Sequence, residues 1–227
     1  MKIADVQGDI PFILRNDANL YEGNLKHYFR LLCKAKNVRR PYHNLRHMLH
    51  VTWLCYQASR FYRDTWTQRQ MRNLLVAAIF HDFNHPGAQQ GDDDLNIEKA
   101  LRGLRQHITV EDRPYLAEIE AIIKATEYPY NVPTAELGIF EQVIREADSS
   151  QAFSVAWFQQ VIVGLADEWE KTILDVIKMQ RPFLSNLKFV TEWGKQMWPQ
   201  DVIDAKILES DGYREILEET DTEPVPV

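Results

Sequence analysis

The stretch TQRQMRNLLVAAIFHD, residues Thr67–Asp82, decides the fold. It predicts a helix: Thr67 is a good N-cap, Leu74–Phe80 is unbroken apolar sequence, and Pro86-Gly87 supplies a stop. On its N-terminal side, His43–Tyr62 reads as a helix opened by Arg40-Pro41. Before that, Asn24–Lys36 sets Leu25, Tyr28, Phe29, Leu32 and Cys33 on one stripe. On its C-terminal side come Asp92–His107, with an acidic first turn that suits the helix dipole, and Glu111–Thr126, with Pro114 near its start. Thr134–Ser149 follows the loop Tyr128–Pro133. A long segment then runs from Phe153 to about Lys178, Arg181-Pro182 interrupts, Phe183–Trp198 resumes, and a short helix covers Asp201–Leu217. No alternating pattern long enough for a strand is present. The expected class is all-α, with roughly eight or nine helices.

The chain has 227 residues, which predicts one domain over 1–218 and a disordered acidic tail over 219–227. Lys plus Arg is 26 against 33 Asp plus Glu, a net charge of −7, which argues against a nucleic-acid-binding surface. A 45% hydrophobic content supports a real core, and no apolar run approaches the roughly 18 residues a membrane span needs. The N-terminus lacks the apolar segment of a signal peptide, and Cys33 and Cys55 are too few for a disulfide framework. The expectation is a soluble, cytoplasmic protein without a membrane partner, its oligomeric state open.

Five of the seven histidines, His43, His47, His50, His81 and His85, lie between positions 43 and 85. Within a helix His43 and His47 share one face at i and i+4, and His85 stands at the same spacing from His81. His81-Asp82 closes the apolar helix, where a charged pair is costly to bury unless partnered or bound to a metal. Far downstream, Asp148 ends another helix behind the apolar stripe Leu137, Phe140, Val143 and Ile144. Singly, each piece has a structural reading: a half-buried helix pair, a chance dipeptide, a helix terminus. Together they supply neutral nitrogens and carboxylates, a mixed set that suits Zn²⁺, Fe²⁺, Mn²⁺ or Mg²⁺ with positions left for water and substrate. His50 and His107 are read as structural.

The order His, His-Asp, Asp resembles the HD superfamily of metal-dependent phosphohydrolases. The local sequences are closest to the class I cyclic nucleotide phosphodiesterases: Tyr42-His-Asn-Leu-Arg-His47 resembles their YHNxxH, and His81-Asp-Phe-Asn-His-Pro-Gly87 their HDxDHPG. Ala147-Asp148-Ser149-Ser150 resembles their ADLS, and Gln180-Arg-Pro-Phe183 their QxxF. The likeness covers about Leu25–Trp198 and implies a compact multi-helix bundle with the metal site in a central cleft. It implies a first metal, usually Zn²⁺, on His47, His81, Asp82 and Asp148. Asp82 would bridge to a second, Mg²⁺ or Mn²⁺, and a hydroxide between the two would attack phosphorus. It implies His43 as the acid that protonates the leaving oxygen, and His85 as a partner of the metal waters. Tyr42, Gln180 and Phe183 would contact the small-molecule nucleotide, Gln180 at the purine edge and Phe183 on its face. The chain departs from the pattern at Asn84, where the family has Asp, and at Leu95-Asn-Ile-Glu98, which lacks the family's paired histidines.

The expected reaction is hydrolysis of a 3′,5′-cyclic nucleotide to the 5′-monophosphate. An HD-family phosphohydrolase acting on a nucleoside monophosphate, dinucleotide or cyclic oligonucleotide is the alternative, and a non-catalytic metal- or nucleotide-binding protein the third reading.

Overall fold

The computed structural model describes residues 10–87 and 93–222, and every regular element among them is helical. After a helical segment over 10–15 come α1 (Lys26–Leu32), α2 (Leu45–Phe61), α3 (Gln68–Phe80), α4 (Asp93–His107), α5 (Leu116–Lys124) and α6 (Ile139–Ser149). A π-helix (Phe158–Val163) leads into α7 (Gly164–Glu168), followed by α8 (Ile173–Asn186), α9 (Glu192–Met197) and α10 (Gln200–Thr222). Short 3₁₀ turns cover Arg113–Tyr115, Thr134–Glu136 and Ser150–Phe153. No helix among the described residues is long and apolar enough to cross a membrane.

α3 is the central rod. The Thr67 hydroxyl accepts from the Gln70 N–H while the Gln70 side chain accepts from the Thr67 N–H, a reciprocal cap that starts the helix sharply. All ten residues Met71–Phe80 are buried, as expected of a helix packed on several sides. Around it Tyr28, Leu54, Leu104, Ile123 and Ile144 bring in α1, α2, α4, α5 and α6. A second apolar cluster, with Trp157, Ile162, Val176 and Leu184, joins the π-helix region to α8 and α10. Tyr42 and Phe183 pack at its edge, so the residues implicated in chemistry lie where the two clusters meet.

Several predicted boundaries change. His43 is not in a helix: Asn44 is the N-cap of α2, its side chain accepting from the N–H of Arg46 and His47, and the helix starts at Leu45. His43 and His47 therefore do not share a helix face. The segment 153–178 is not continuous. It breaks after Glu168, turns through Glu170 at φ 53°, and restarts at a Thr172–Asp175 capping box. Pro182, expected to interrupt, lies inside α8, whose Thr172 cap already fixes the helix before the proline removes one N–H. α10 runs to Thr222, five residues past the helix end expected at Leu217; residues 223–227 of the expected tail lie outside the described residues.

Candidate metal centre and adjoining cavity

Three helix ends deliver one cluster. His47 comes from the first turn of α2, His81 and Asp82 from the turn that follows α3, and Asp148 from the last turn of α6. His47 Nε2 lies 3.3 Å from His81 Nε2, 3.0 Å from Asp148 Oδ1 and 3.2 Å from Asp82 Oδ2. His81 Nε2 lies 3.5 Å from Asp82 Oδ2 and 3.7 Å from Asp148 Oδ1. A cation with bonds of about 2.1 Å sets its ligand atoms about 3.0 Å apart at right angles and about 3.4 Å apart at the tetrahedral angle. His47, His81 and Asp148 have that size, and Asp82 Oδ2 lies at matching distances from both imidazole nitrogens.

The hydrogen bonds around it fit the same reading. His81 Nδ1 donates to the Ala78 carbonyl at 2.7 Å, and His47 Nδ1 donates to Gln151 Oε1 at 2.6 Å. Both imidazoles thus spend their Nδ1–H outward and turn Nε2 lone pairs inward, the arrangement that orients ligating histidines. Two such nitrogens face each other beside two carboxylates, and the buried Asp82 Oδ2 has no hydrogen-bond donor. Acceptors packed together need a positive charge. In the protein alone a proton serves: burial opposes charge on His47, but Asp148 and Asp82 outweigh it and hold its pKa well above the ordinary value. A divalent cation would replace that proton, coupling metal affinity to pH. The residues present therefore fit a metal.

A second set borders the first. His43 Nδ1 donates to Glu168 Oε1 at 2.6 Å, while Glu168 Oε2 accepts from the backbone N–H of Tyr42 and His43 at 2.9 and 3.1 Å. Burial alone would raise the Glu168 pKa, but His43 and the two N–H donors overcome it and pull it down to about 2. Gly164 allows this approach, since a Cβ there would meet the Pro41 carbonyl at 3.0 Å. His85 stacks on His43 with centroids 3.7 Å apart and planes 10° from parallel. Its Nδ1 accepts the Gly87 N–H at 3.0 Å, and burial followed by the His43 charge pushes its pKa down to about 3, so His85 is neutral. His43, His85 and Glu168 carry donor atoms close enough for an ion, yet stacked rings keep their in-plane lone pairs parallel rather than convergent. This set suits a proton better than a metal.

Both sets open on a shared space. A chamber of about 130 Å³ touches His47, Asp82, Asp148, His43 and His85, and adjoins a cavity of about 450 Å³ walled by Tyr42, Val161, Leu165, Gln180 and Phe183. No lysine or arginine lines either space among the described residues. Gln180 Oε1 accepts from the Trp157 indole N–H at 3.4 Å and its Nε2 donates to the Val176 carbonyl at 3.3 Å, both long bonds. Phe183 meets Tyr128 edge to face at 6.3 Å and lines both spaces.

All nine residues singled out in the sequence thus surround one site, though His43 arrives from a loop. Asn84 lines neither space: at φ 64° its side chain accepts the Lys36 N–H at 2.8 Å, which makes it a turn residue. Three participants have no predicted role in the site. Glu168 and Gln151 hold His43 and His47 from 125 and 104 residues away, distances that leave no local pattern. Asp93, read only as a dipole-complementing first-turn acid, lines both spaces and accepts from Asn96 Nδ2 at 2.5 Å. His50 and His107 line neither space. No family model matches the chain, and no curated protein matches it.

Proposed function

We propose that this chain is a metal-dependent phosphohydrolase that opens a 3′,5′-cyclic nucleotide to the 5′-monophosphate. One observation carries the reading: an acceptor-only His–Asp cluster and a histidine oriented by a buried glutamate face the same cavity. Bound divalent cations, held by His47, His81, Asp82 and Asp148, would supply a water activated at neutral pH and neutralise phosphate charge. Zn²⁺ suits the two nitrogens and two carboxylates, and Mg²⁺ or Mn²⁺ a second position beside Asp82.

The chain's own groups do the rest. Glu168 commits His43 Nδ1, leaving Nε2 to carry the proton that the leaving sugar oxygen takes. The neutral His85 ring, stacked on His43, adds no competing positive charge. Tyr42 packs against both His43 and His47, with ring centroids 4.6 and 5.1 Å away, and closes that wall of the cavity. A 450 Å³ space with one apolar side suits a base and sugar. Among the described residues the lining is without lysine or arginine, which favours a diester, with one negative charge, over a monoester carrying about two.

A different nucleotide substrate is the second reading, and Gln180 favours it. Both ends of that amide have partners inside the protein, so its hold on a purine edge is not free of cost. A hydrolysis screen over cyclic mononucleotides, cyclic dinucleotides and 5′-nucleotides, with Zn²⁺ plus Mg²⁺ or Mn²⁺, separates the two. The expected result is 5′-monophosphate from a 3′,5′-cyclic nucleotide. Intact cyclic mononucleotides beside a consumed dinucleotide or monophosphate would establish the second reading instead.

A further inference from the structure

The Nδ1 side of His47 carries more than a single hydrogen bond. Gln151 is 2% exposed, and both ends of its amide are engaged. Its Oε1 takes the His47 Nδ1–H at 2.6 Å, and its Nε2 donates to Gln160 Oε1 at 2.8 Å. The two contacts fix each other. A flipped Gln151 would set an N–H against the His47 N–H and a carbonyl against the carbonyl of the half-buried Gln160, leaving four polar groups mismatched. Gln160 lies in the π-helix whose Val161 walls the cavity, and its backbone N–H donates to the carbonyl of Ala156, just before that helix, at 2.8 Å.

We infer that Gln151 and Gln160 form a positioning relay that fixes the His47 tautomer and thereby sets the affinity of the centre for a divalent cation. The assignment rests on the metal-centre reading of the cluster and not on any particular substrate. Its chemistry follows from charge. Asp82 and Asp148 balance a divalent cation with neutral histidines, and a neutral amide on His47 keeps that balance where a carboxylate would add a third negative charge. A carboxylate would also make the imidazole a stronger donor to the metal, so the amide sets affinity below the attainable maximum. Gln151 sits on the 3₁₀ turn directly after α6, so the chain that presents Asp148 also presents the group that aims His47. Neither glutamine is placed against substrate; both act through His47.

The test is metal affinity, measured by chelator competition with Zn²⁺ and by the visible spectrum of the Co²⁺-substituted protein. Gln151→Leu is expected to weaken binding by about 10- to 100-fold, the usual cost of losing such a partner. Gln160→Ala, which frees the Gln151 amide to turn, is expected to cost roughly 2- to 10-fold, one hydrogen bond's worth. Gln151→Glu keeps an acceptor and is expected to bind at least as tightly as wild type, with an altered Co²⁺ spectrum. This opposite direction is what a merely structural role would not give. Equal losses in Gln151→Leu and Gln151→Glu, or affinities within twofold of wild type throughout, would overturn the relay. If Gln151→Leu does not fold, Gln160→Ala and Gln151→Glu decide: one weaker and one undiminished supports it, both unchanged rejects it. A wild-type protein that binds no divalent metal would overturn the centre and the relay together. One that binds metal but hydrolyses no nucleotide would reject only the proposed activity.

Discussion

Two buried charge clusters sit at opposite ends of α3, and they are built on opposite principles. Near the start of α3, the fully buried Asp112 accepts from Arg72 Nε and Nη2 at 2.7 and 2.8 Å, from Arg69 Nη1 at 2.7 Å and from the Tyr28 hydroxyl at 2.6 Å. Both oxygens of the carboxylate are met by donors from within the chain, and the one orphan, Arg69 Nε, is a donor rather than a crowded acceptor. After the end of α3, His47, His81, Asp82 and Asp148 present acceptors to one another and leave Asp82 Oδ2 without a donor. The first arrangement ties α1, α3 and the turn before α5 together. The second is completed only by an added positive charge, a proton on His47 or, in the proposed reading, a divalent cation. Burial and charge are common to both, so neither identifies a site; the mismatch of donors and acceptors does.

The sharpest way to break that contrast is to remove one member of each. His81→Ala is expected to lower hydrolysis on the order of 10³-fold or more, because a lost ligand withdraws the cation's charge from the reaction. The same variant should lose the stabilisation that metal gives the wild type, about 2.7 kcal/mol at 100 times the dissociation constant. Melting with and without Zn²⁺ measures this, and the metal-free variant should melt no lower than metal-free wild type. A large loss of metal-free stability would show that the cluster is already complete by itself.

Asp112→Ala should do the reverse. Stripping the carboxylate leaves Arg72 buried without its partner, at a cost of about 3–5 kcal/mol in denaturant unfolding. Zn²⁺ affinity should stay within about twofold of wild type, since no member of this network touches the metal cluster. A variant that weakened metal binding tenfold while staying stable would erase the distinction between the two ends of α3.

Acid sharpens it more gently. Burial opposes the charge on Asp112, but Arg72 and Tyr28 outweigh burial and bring its pKa down to about 2, below the ordinary 3.8. The folded state therefore holds its proton less tightly than the unfolded chain. The contribution is fully present above about pH 4 and disappears as pH falls towards 2, about 2 kcal/mol in all. Glu168 titrates over a similar range, so the informative quantity is the difference between wild type and Asp112→Asn. That difference should shrink as pH falls from 5 to 2. A constant difference would assign the acid loss to the cleft instead.

How much of this was legible follows from which contacts are local. The Thr67 cap and the apolar run to Phe80 are local, and each histidine pair, 43 with 47 and 81 with 85, is exposed by its own four-residue spacing. Asp148 could be added because it ends an apolar stripe, as His81-Asp82 does. Glu168, Gln151 and the Arg72–Asp112 pairing could not, because each acts across 40 to 125 residues and has no periodic trace. The misreading of His43 had a local remedy: Asn44 is a stronger N-cap than the Arg40-Pro41 opening is a helix start, and a cap at 44 puts His43 outside. The break after Glu168 was also written locally, in Thr172 followed three residues later by Asp175.

Gln180 tests whether the contrast sorts a residue that has features of both ends. Like Asp112 it is buried and has partners within the chain; like the metal cluster it lines a cavity. It borders the 450 Å³ cavity but not the chamber beside the His–Asp cluster, so in the proposed reaction it would meet the base rather than the phosphate. Interactions made equally in ground and transition state appear in KM and leave kcat alone. Gln180→Ala is therefore expected to raise KM for a cyclic purine nucleotide about 10-fold, one hydrogen bond to an aromatic edge, with kcat within about twofold. It should also narrow any preference between adenine and guanine. Its bonds to Trp157 and Val176 are long, so the loss of unfolding free energy should be about 1 kcal/mol, well short of that in Asp112→Ala. If the melting point falls while KM and base preference stay put, Gln180 belongs with Asp112 as a residue that holds α8 to Trp157. The apolar walls and Phe183 would then hold the base by shape, and the cavity would be more permissive than the glutamine suggests.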